Sequence, residues 1–248
     1  MLISIIKKCY MGCSHCMFDC KPTDTEMLTF DQFKKSIDLA NKINSQLIII
    51  SGGEPTEHPL FLEFLTYAYK NFNKSIMVAS NGMFAFNELY KKKIIGFLNT
   101  HKRVLFQITA DKRFYPKTVP IINHLKVCYT SEIPTLSSKG RAKTNNLSLE
   151  KLKIKNPICP NCFNIFSAFK NLKDILKAAS FLENNFNKYC SFGVTWNGEI
   201  GIGENCHIIG TLESNIEELN KNMAKFKPCN KCGAVDNLSE EIRRYIYK

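Results

Sequence analysis

Cys9, Cys13 and Cys16 have the spacing C-x3-C-x2-C, so one short loop can turn three thiolates toward a common centre. Thiolate is the ligand of iron–sulfur clusters. Three of them can hold three irons of a [4Fe–4S] cube, which leaves the fourth iron open to a substrate or cofactor. A zinc site is the alternative, and it would need a fourth donor such as Cys20 or His15. Buried thiols without a metal are the third reading.

Six further cysteines lie in the last 90 residues: Cys159, Cys162, Cys190, Cys206, Cys229 and Cys232. The pairs Cys159–Cys162 and Cys229–Cys232 have the form of a four-cysteine zinc ribbon. The 66 residues between them exceed the usual ~15–20, however, and Cys190 and Cys206 would be left over. All 11 cysteines occur in 248 residues whose 44% hydrophobic and 23% charged content is that of a globular protein. The amino-terminal apolar run is too short for a secretory signal, and no stretch approaches the ~18 apolar residues of a membrane span. A cytosolic setting is therefore expected, where thiols stay reduced and a metal or redox role explains so many of them.

The cysteine loop needs elements to carry it. Leu2 to Ile6 reads as a short strand feeding that loop. Thr29 to Asn44 has helical periodicity, with Phe30, Phe33, Ile37 and Ala40 on one stripe and Thr29 as N-cap. Leu47 to Ile50 is a buried strand ended by Ser51-Gly52-Gly53. Helices are expected over Leu60 to Phe72 and Phe86 to Leu98, and strands over Ser75 to Ala79 and Val104 to Ile108. A short helix at Val119 to Leu125 should lead into a strand at Lys126 to Tyr129. Strands separated by helices imply an α/β fold with a parallel sheet, whose ligands sit at the carboxyl ends of the strands. The alternation stops near Ser131, and the polar stretch Thr135 to Ser148 reads as a loop or boundary between 1–145 and 146–248. Beyond it, Asn197-Gly198 suggests a two-residue hairpin turn, and helices are expected at Ile216 to Phe226 and from Ser239.

Four motifs in order give the first part of the chain a family likeness. Cys9-Tyr-Met-Gly-Cys13-Ser-His-Cys16, Gly52-Gly53-Glu54-Pro55, Ser80-Asn81-Gly82 and Gln107-Ile-Thr109-Ala-Asp111 each follow a predicted strand. Together they cover about 110 residues, and the sequence resembles the radical S-adenosylmethionine (SAM) superfamily. The resemblance implies a partial (β/α)6-type barrel and a [4Fe–4S] cluster on Cys9, Cys13 and Cys16 whose open iron is chelated by SAM. It also implies reductive cleavage of SAM to a 5′-deoxyadenosyl radical that abstracts hydrogen from a substrate. In that frame Glu54 accepts from the SAM amino group, while Gly52 and Gly53 admit the backbone closely. Ser80 and Asn81 bind ribose hydroxyls. Thr109 bonds the SAM carboxylate with Arg113 or Arg141 as a charged partner, and His15 lies near the adenine.

The segment from Cys190 to Cys206 encloses the hairpin, and with Cys229-Asn-Lys-Cys232 it resembles SPASM and shorter twitch domains. That implies a small C-terminal Fe–S-binding appendage with one auxiliary [4Fe–4S] cluster on Cys190, Cys206, Cys229 and Cys232. Cys159 and Cys162 are unassigned under this reading; alternative cluster ligands, a redox pair or a partner contact are the roles open to them. Cys20 and Cys128 read as small buried hydrophobes or hydrogen donors to a substrate radical.

A net charge of +12 would steer an acidic partner, such as a flavodoxin or ferredoxin electron donor, an acidic peptide or nucleic acid. Nucleic acid is the less favoured, because no aromatic-interleaved motif accompanies the lysines. The expectation is an enzyme acting on a peptide or protein, with a small molecule or a nucleic acid as the alternative substrate. A non-catalytic Fe–S or zinc protein binding nucleic acid is the reading from another class.

Overall fold

The computed structural model describes residues 1–131, 139–147, 192–202 and 207–224. Five strands alternate with three helices over the first 130 residues: β1 (Leu2–Ile6), α1 (Phe30–Lys42), β2 (Leu47–Gly52), α2 (Phe61–Asn71), β3 (Ser75–Ser80), α3 (Glu88–Thr100), β4 (Val104–Thr109) and β5 (Val127–Thr130). A short helix α4 (Gly140–Thr144) follows, then β6 (Phe192–Val194), β7 (Glu199–Ile202), β8 (His207–Thr211) and α5 (Ile216–Ala224). The strands form one sheet in the order β5-β4-β3-β2-β1-β6-β7-β8. Every pair from β5 to β6 is parallel, and β6-β7-β8 is antiparallel. The expected parallel α/β sheet is present, with β5 and β8 as its open edges among the described residues.

Burial follows from that topology. All five residues of β1 are buried, as for a strand covered on both faces. Helix α1 begins at Thr29, whose hydroxyl accepts from Gln32 N while Gln32 Oε1 accepts from Thr29 N, a reciprocal capping box. Its apolar stripe packs on α2, where Phe33 stacks on Phe64 at 4.2 Å between centroids. No helix among the described residues is long and apolar enough to cross a membrane.

Four local expectations are corrected. No helix forms over Val119 to Leu125; the segment is irregular, and Ile122 N donates to the Tyr129 hydroxyl at 2.7 Å. The helix expected from Phe86 begins at Glu88, because Asn87 caps it by accepting from Tyr90 N at 2.9 Å. The polar stretch after Ser131 contains α4. The hairpin loop has three residues, Trp196 to Gly198: Thr195 N donates to Glu199 O, and Gly198 takes a φ of +75°. Asn197 needs no positive φ there, so the glycine alone supplies the left-handed residue of a bulged turn. Helix α5 is described to Ala224. The expected helix from Ser239 and Cys159, Cys162, Cys190, Cys206, Cys229 and Cys232 lie outside the described residues.

Candidate metal centre and cofactor site

The carboxyl ends of β1, β2, β3 and β4 bring the four motifs to one edge of the sheet. Two glycines join the first two. Gly53 N donates to Ile6 O at 2.7 Å and Glu54 N to Lys8 O at 2.9 Å. A Cβ on Gly52 would collide with Ile6 O, and one on Gly53 with Lys7 O and Lys8 O. These glycines therefore let the β2 loop lie against the start of the cysteine loop, a backbone-to-backbone approach that no other residue permits.

Glu54 is fully buried at the centre of this junction. Its Oε1 accepts from Thr56 N (3.2 Å), Thr56 Oγ1 (2.6 Å) and Ser80 Oγ (2.8 Å), and its Oε2 accepts from Asn81 N (2.7 Å). Burial pushes its carboxyl pKa up, and these donors oppose the shift. Oε2 has one donor, so it retains capacity for a second. Ser80 spends its proton on Glu54 and accepts from Gly82 N at 3.0 Å. Asn81 accepts from Met83 N at 2.9 Å and points its amide nitrogen at Cys9 Sγ, 3.5 Å away.

The cysteine loop is held from the far side by α4. Arg141 Nε donates to Cys13 O (2.8 Å), and its Nη1 donates to Cys20 O (2.8 Å) and Asp19 (3.0 Å). Arg141 N and Asn145 Nδ2 donate to Cys16 O (2.9 Å) and Ser14 O (2.8 Å). Cys9 and Cys13 are buried, and burial pushes each thiol up to about 12. Cys16 is drawn down to about 6, first by a hydrogen bond from the Cys20 thiol, which is correspondingly raised. The Arg141 charge favours the thiolate at both Cys13 and Cys16.

At the end of β4, Asp111 is buried and forks with Arg113 through contacts of 2.6 to 3.2 Å. Thr109 hydrogen-bonds the Tyr115 hydroxyl, whose pKa burial raises. His15 lies against Phe114 (4.7 Å) and Tyr115 (5.4 Å), and burial lowers its pKa to about 4, so its ring is neutral near pH 7. The structure thus brings the loops that carry the expected amino-terminal residues to one end of the sheet, with Arg113 and Arg141 both engaged by protein acceptors; among the described residues no three His, Cys, Asp or Glu side chains close on a single metal ion.

The donor set suits an iron–sulfur cluster, being three thiols on one loop with a cation beside them. Two buried side-chain atoms among the described residues have no hydrogen-bond partner, His15 Nδ1 and Glu57 Oε2. Both belong to this region: His15 is on the cysteine loop, and Glu57 Oε1 accepts from Tyr10 N at 3.2 Å. Such orphans are expected where a bound group completes the site. Glu57, Phe114, Tyr115 and Asn145 were not among the expected site residues. Glu57 alone carried a signal, as a carboxylate three positions after Glu54.

Residues 3–110 match the family model described as the Radical SAM superfamily. The antilisterial bacteriocin subtilosin biosynthesis protein AlbA of Bacillus subtilis (strain 168) is 30% identical over 105 residues, 42% of this chain and 22% of that protein. The putative peptide biosynthesis protein YydG of the same strain is 24% identical over 156 residues, 60% of this chain and 49% of that protein. The chain thus spans at most half the length of these two relatives. Among solved structures, SuiB of Streptococcus suis bound to precursor peptide SuiA has a TM-score of 0.56 at 15% identity, covering 94% of this chain and 69% of that one, a likeness of fold.

Proposed function

We propose that this chain, whose residues 3–110 match the Radical SAM family model, is an enzyme that cleaves SAM reductively and modifies a peptide or protein. One observation carries the reading: Cys9, Cys13 and Cys16 on a single loop, clamped by Arg141 on one side and by the Gly53–Glu54 backbone on the other. When bound, the cluster and SAM supply a 5′-deoxyadenosyl radical able to abstract hydrogen from an unactivated C–H bond.

The chain's own residues bind and exclude. Cys9, Cys13 and Cys16 would hold three irons. The free acceptor capacity of Glu54 Oε2 suits the SAM ammonium, and Gly52 and Gly53 bring that carboxylate up to the cysteine loop. Ser80 has given its proton to Glu54 and so would meet a ribose hydroxyl as an acceptor. His15, neutral and packed against Phe114 and Tyr115, would suit the adenine. Thr109 would meet the SAM carboxylate, with Arg113 nearby but paired with Asp111, whereas Arg141 is committed to the loop's own carbonyls. Ile6, Met11 and Ile108, buried on or beside the same strands and loop, would help to keep water from the reacting centre.

The peptide substrate is supported by the two Bacillus relatives, one named for bacteriocin biosynthesis and the other as a putative peptide biosynthesis protein. An auxiliary [4Fe–4S] cluster on Cys190, Cys206, Cys229 and Cys232, in a region 146–248 distinct from 1–145, belongs to the same proposal. So do a flavodoxin- or ferredoxin-type electron donor and a cytosolic location. Anaerobic reconstitution tests the reading: the full chain should bind about eight irons, four per cube, and release 5′-deoxyadenosine from SAM under dithionite. Replacing Cys9, Cys13 and Cys16 together by Ala should abolish that release and leave the auxiliary absorbance. Continued SAM cleavage by the triple variant would refute the assignment.

A further inference from the structure

We propose that Asn81 is a positioning residue for the cluster, bonding the sulfur of Cys9 through its side-chain amide and raising the cluster's reduction potential. The inference rests on the radical SAM reading of the three cysteines.

The amide orientation is settled by its neighbours. Met83 N donates to Asn81 Oδ1 at 2.9 Å, and only the oxygen of the amide can accept, so Nδ2 is the atom that faces Cys9 Sγ at 3.5 Å. Asn81 and Cys9 are each 6% exposed, which leaves little room for water to compete for the sulfur. The donor is also immobile. Asn81 N is bonded to Glu54 Oε2 at 2.7 Å, and Gly82 fixes the following turn with a φ of +80°. The side chain is thus tied at its backbone and its oxygen, and its nitrogen is delivered to the sulfur. One amide hydrogen remains for a ribose hydroxyl, the partner expected from sequence.

A hydrogen bond to a cluster thiolate withdraws negative charge from it. The reduced cluster carries one electron more than the oxidised one, so it gains more from the bond, and the potential rises. The ordinary role of Asn in this position is to close a turn on its own backbone, which needs only Oδ1. The two roles separate by substitution. Asn81→Ser keeps an oxygen able to accept from Met83 N but is too short to reach Cys9. Asn81→Asp keeps the shape and replaces the N–H donor with a charge.

The full chain and both variants are reconstituted anaerobically, and the EPR signal that disappears in the Cys9, Cys13 and Cys16 triple-Ala variant is followed through a redox titration. The expected result is a more negative midpoint in Asn81→Ser at unchanged iron content per chain, and a further negative shift in Asn81→Asp. An unchanged midpoint in Asn81→Ser overturns the proposal. Failure of both variants to assemble the cluster also overturns it, since Asn81 would then build the site rather than tune it. Absence of any signal dependent on the three cysteines in the wild-type chain would defeat the radical SAM reading itself, a result distinct from an unmoved midpoint.

Discussion

Arg141 Nε donates to the carbonyl of Cys13 at 2.8 Å, although the two residues stand 128 positions apart. The same guanidinium bonds Cys20 O and Asp19, so one cation ties both ends of the segment that contains Cys16. The thiols are presented by a loop with little regular structure, and this clamp is what holds its carbonyls in place.

Arg141→Ala should therefore loosen the loop before it affects any chemistry. Losing charge-assisted bonds to two carbonyls is expected to cost about 1.5–3 kcal/mol. Chemical denaturation of the cluster-free chain would read that loss, and a chelator should strip iron faster from the reconstituted variant. Arg141→Lys should recover only part, because an ammonium cannot reproduce the planar fork. A variant as stable as wild type, with the same rate of iron loss, would refute the clamp.

Gly53→Ala should be damaging out of proportion to one methyl group. Its Cβ would enter the space of Lys7 O and Lys8 O, and both obstacles are backbone. The β2 loop would have to withdraw, breaking the bonds from Gly53 N to Ile6 O and Glu54 N to Lys8 O. A loss of at least about 2 kcal/mol in urea unfolding is expected, together with weaker SAM binding by the reconstituted chain. Gly96, whose Cβ would meet nothing within 4 Å, is the control.

Ser80→Ala removes one of three donors on Glu54 Oε1, whose side chain is fully buried. The carboxylate cannot recover that bond from solvent, so a cost of about 1–3 kcal/mol is expected. Because the carboxyl pKa is already raised by burial, the variant should hold its proton to higher pH than wild type. An infrared titration of the Glu54 carboxyl, assigned with Glu54→Gln, would detect the change. No movement of that band would mean that Ser80 contributes nothing to the charge.

His58 gives the cluster-free chain an acid-side instability. Its Nδ1 accepts from Leu60 N at 3.0 Å, so the ring is neutral with its proton on Nε2, which bonds Leu28 O at 3.0 Å. Burial lowers its pKa below the ordinary 6.5. The unfolded chain therefore takes up a proton near pH 6.5 that the folded chain refuses. The stability contribution is complete above that pH and is lost as the pH falls below it. Urea midpoints measured from pH 7.5 to 5 should fall more steeply for wild type than for His58→Leu, even though the variant starts lower. Parallel slopes would show that His58 does not carry the effect.

The local chemistry was legible in the sequence because it is written in short spacings. C-x3-C-x2-C sets three thiols on one loop, Thr29 and Gln32 cap α1 within one turn, and the apolar run Leu47 to Ile50, ended by Ser51-Gly52-Gly53, reads as a covered strand. Order along the chain also placed each motif after a strand, and in a parallel sheet every strand delivers its loop to the same edge. Short-range steric details were harder. The segment from Val119 to Leu125 stays irregular where a helix was expected, and the αL conformation of Gly198 accompanies a turn one residue longer than expected.

Contacts between distant segments were decided by the tertiary structure alone. Periodicity says which face of an element is apolar, but it does not say which polar atom from another segment will meet a buried one. Glu54 needed donors because a buried charge cannot stand alone, and Ser80 and Asn81 supply them from 26 and 27 positions away. The pairing of β6 with β1 brings the hairpin to the strand that feeds the cysteine loop. Arg141, read from sequence as a partner for a bound carboxylate, is drawn to the loop's own carbonyls by α4. Sequence determined which groups were available for chemistry, and packing determined which of them would face one another.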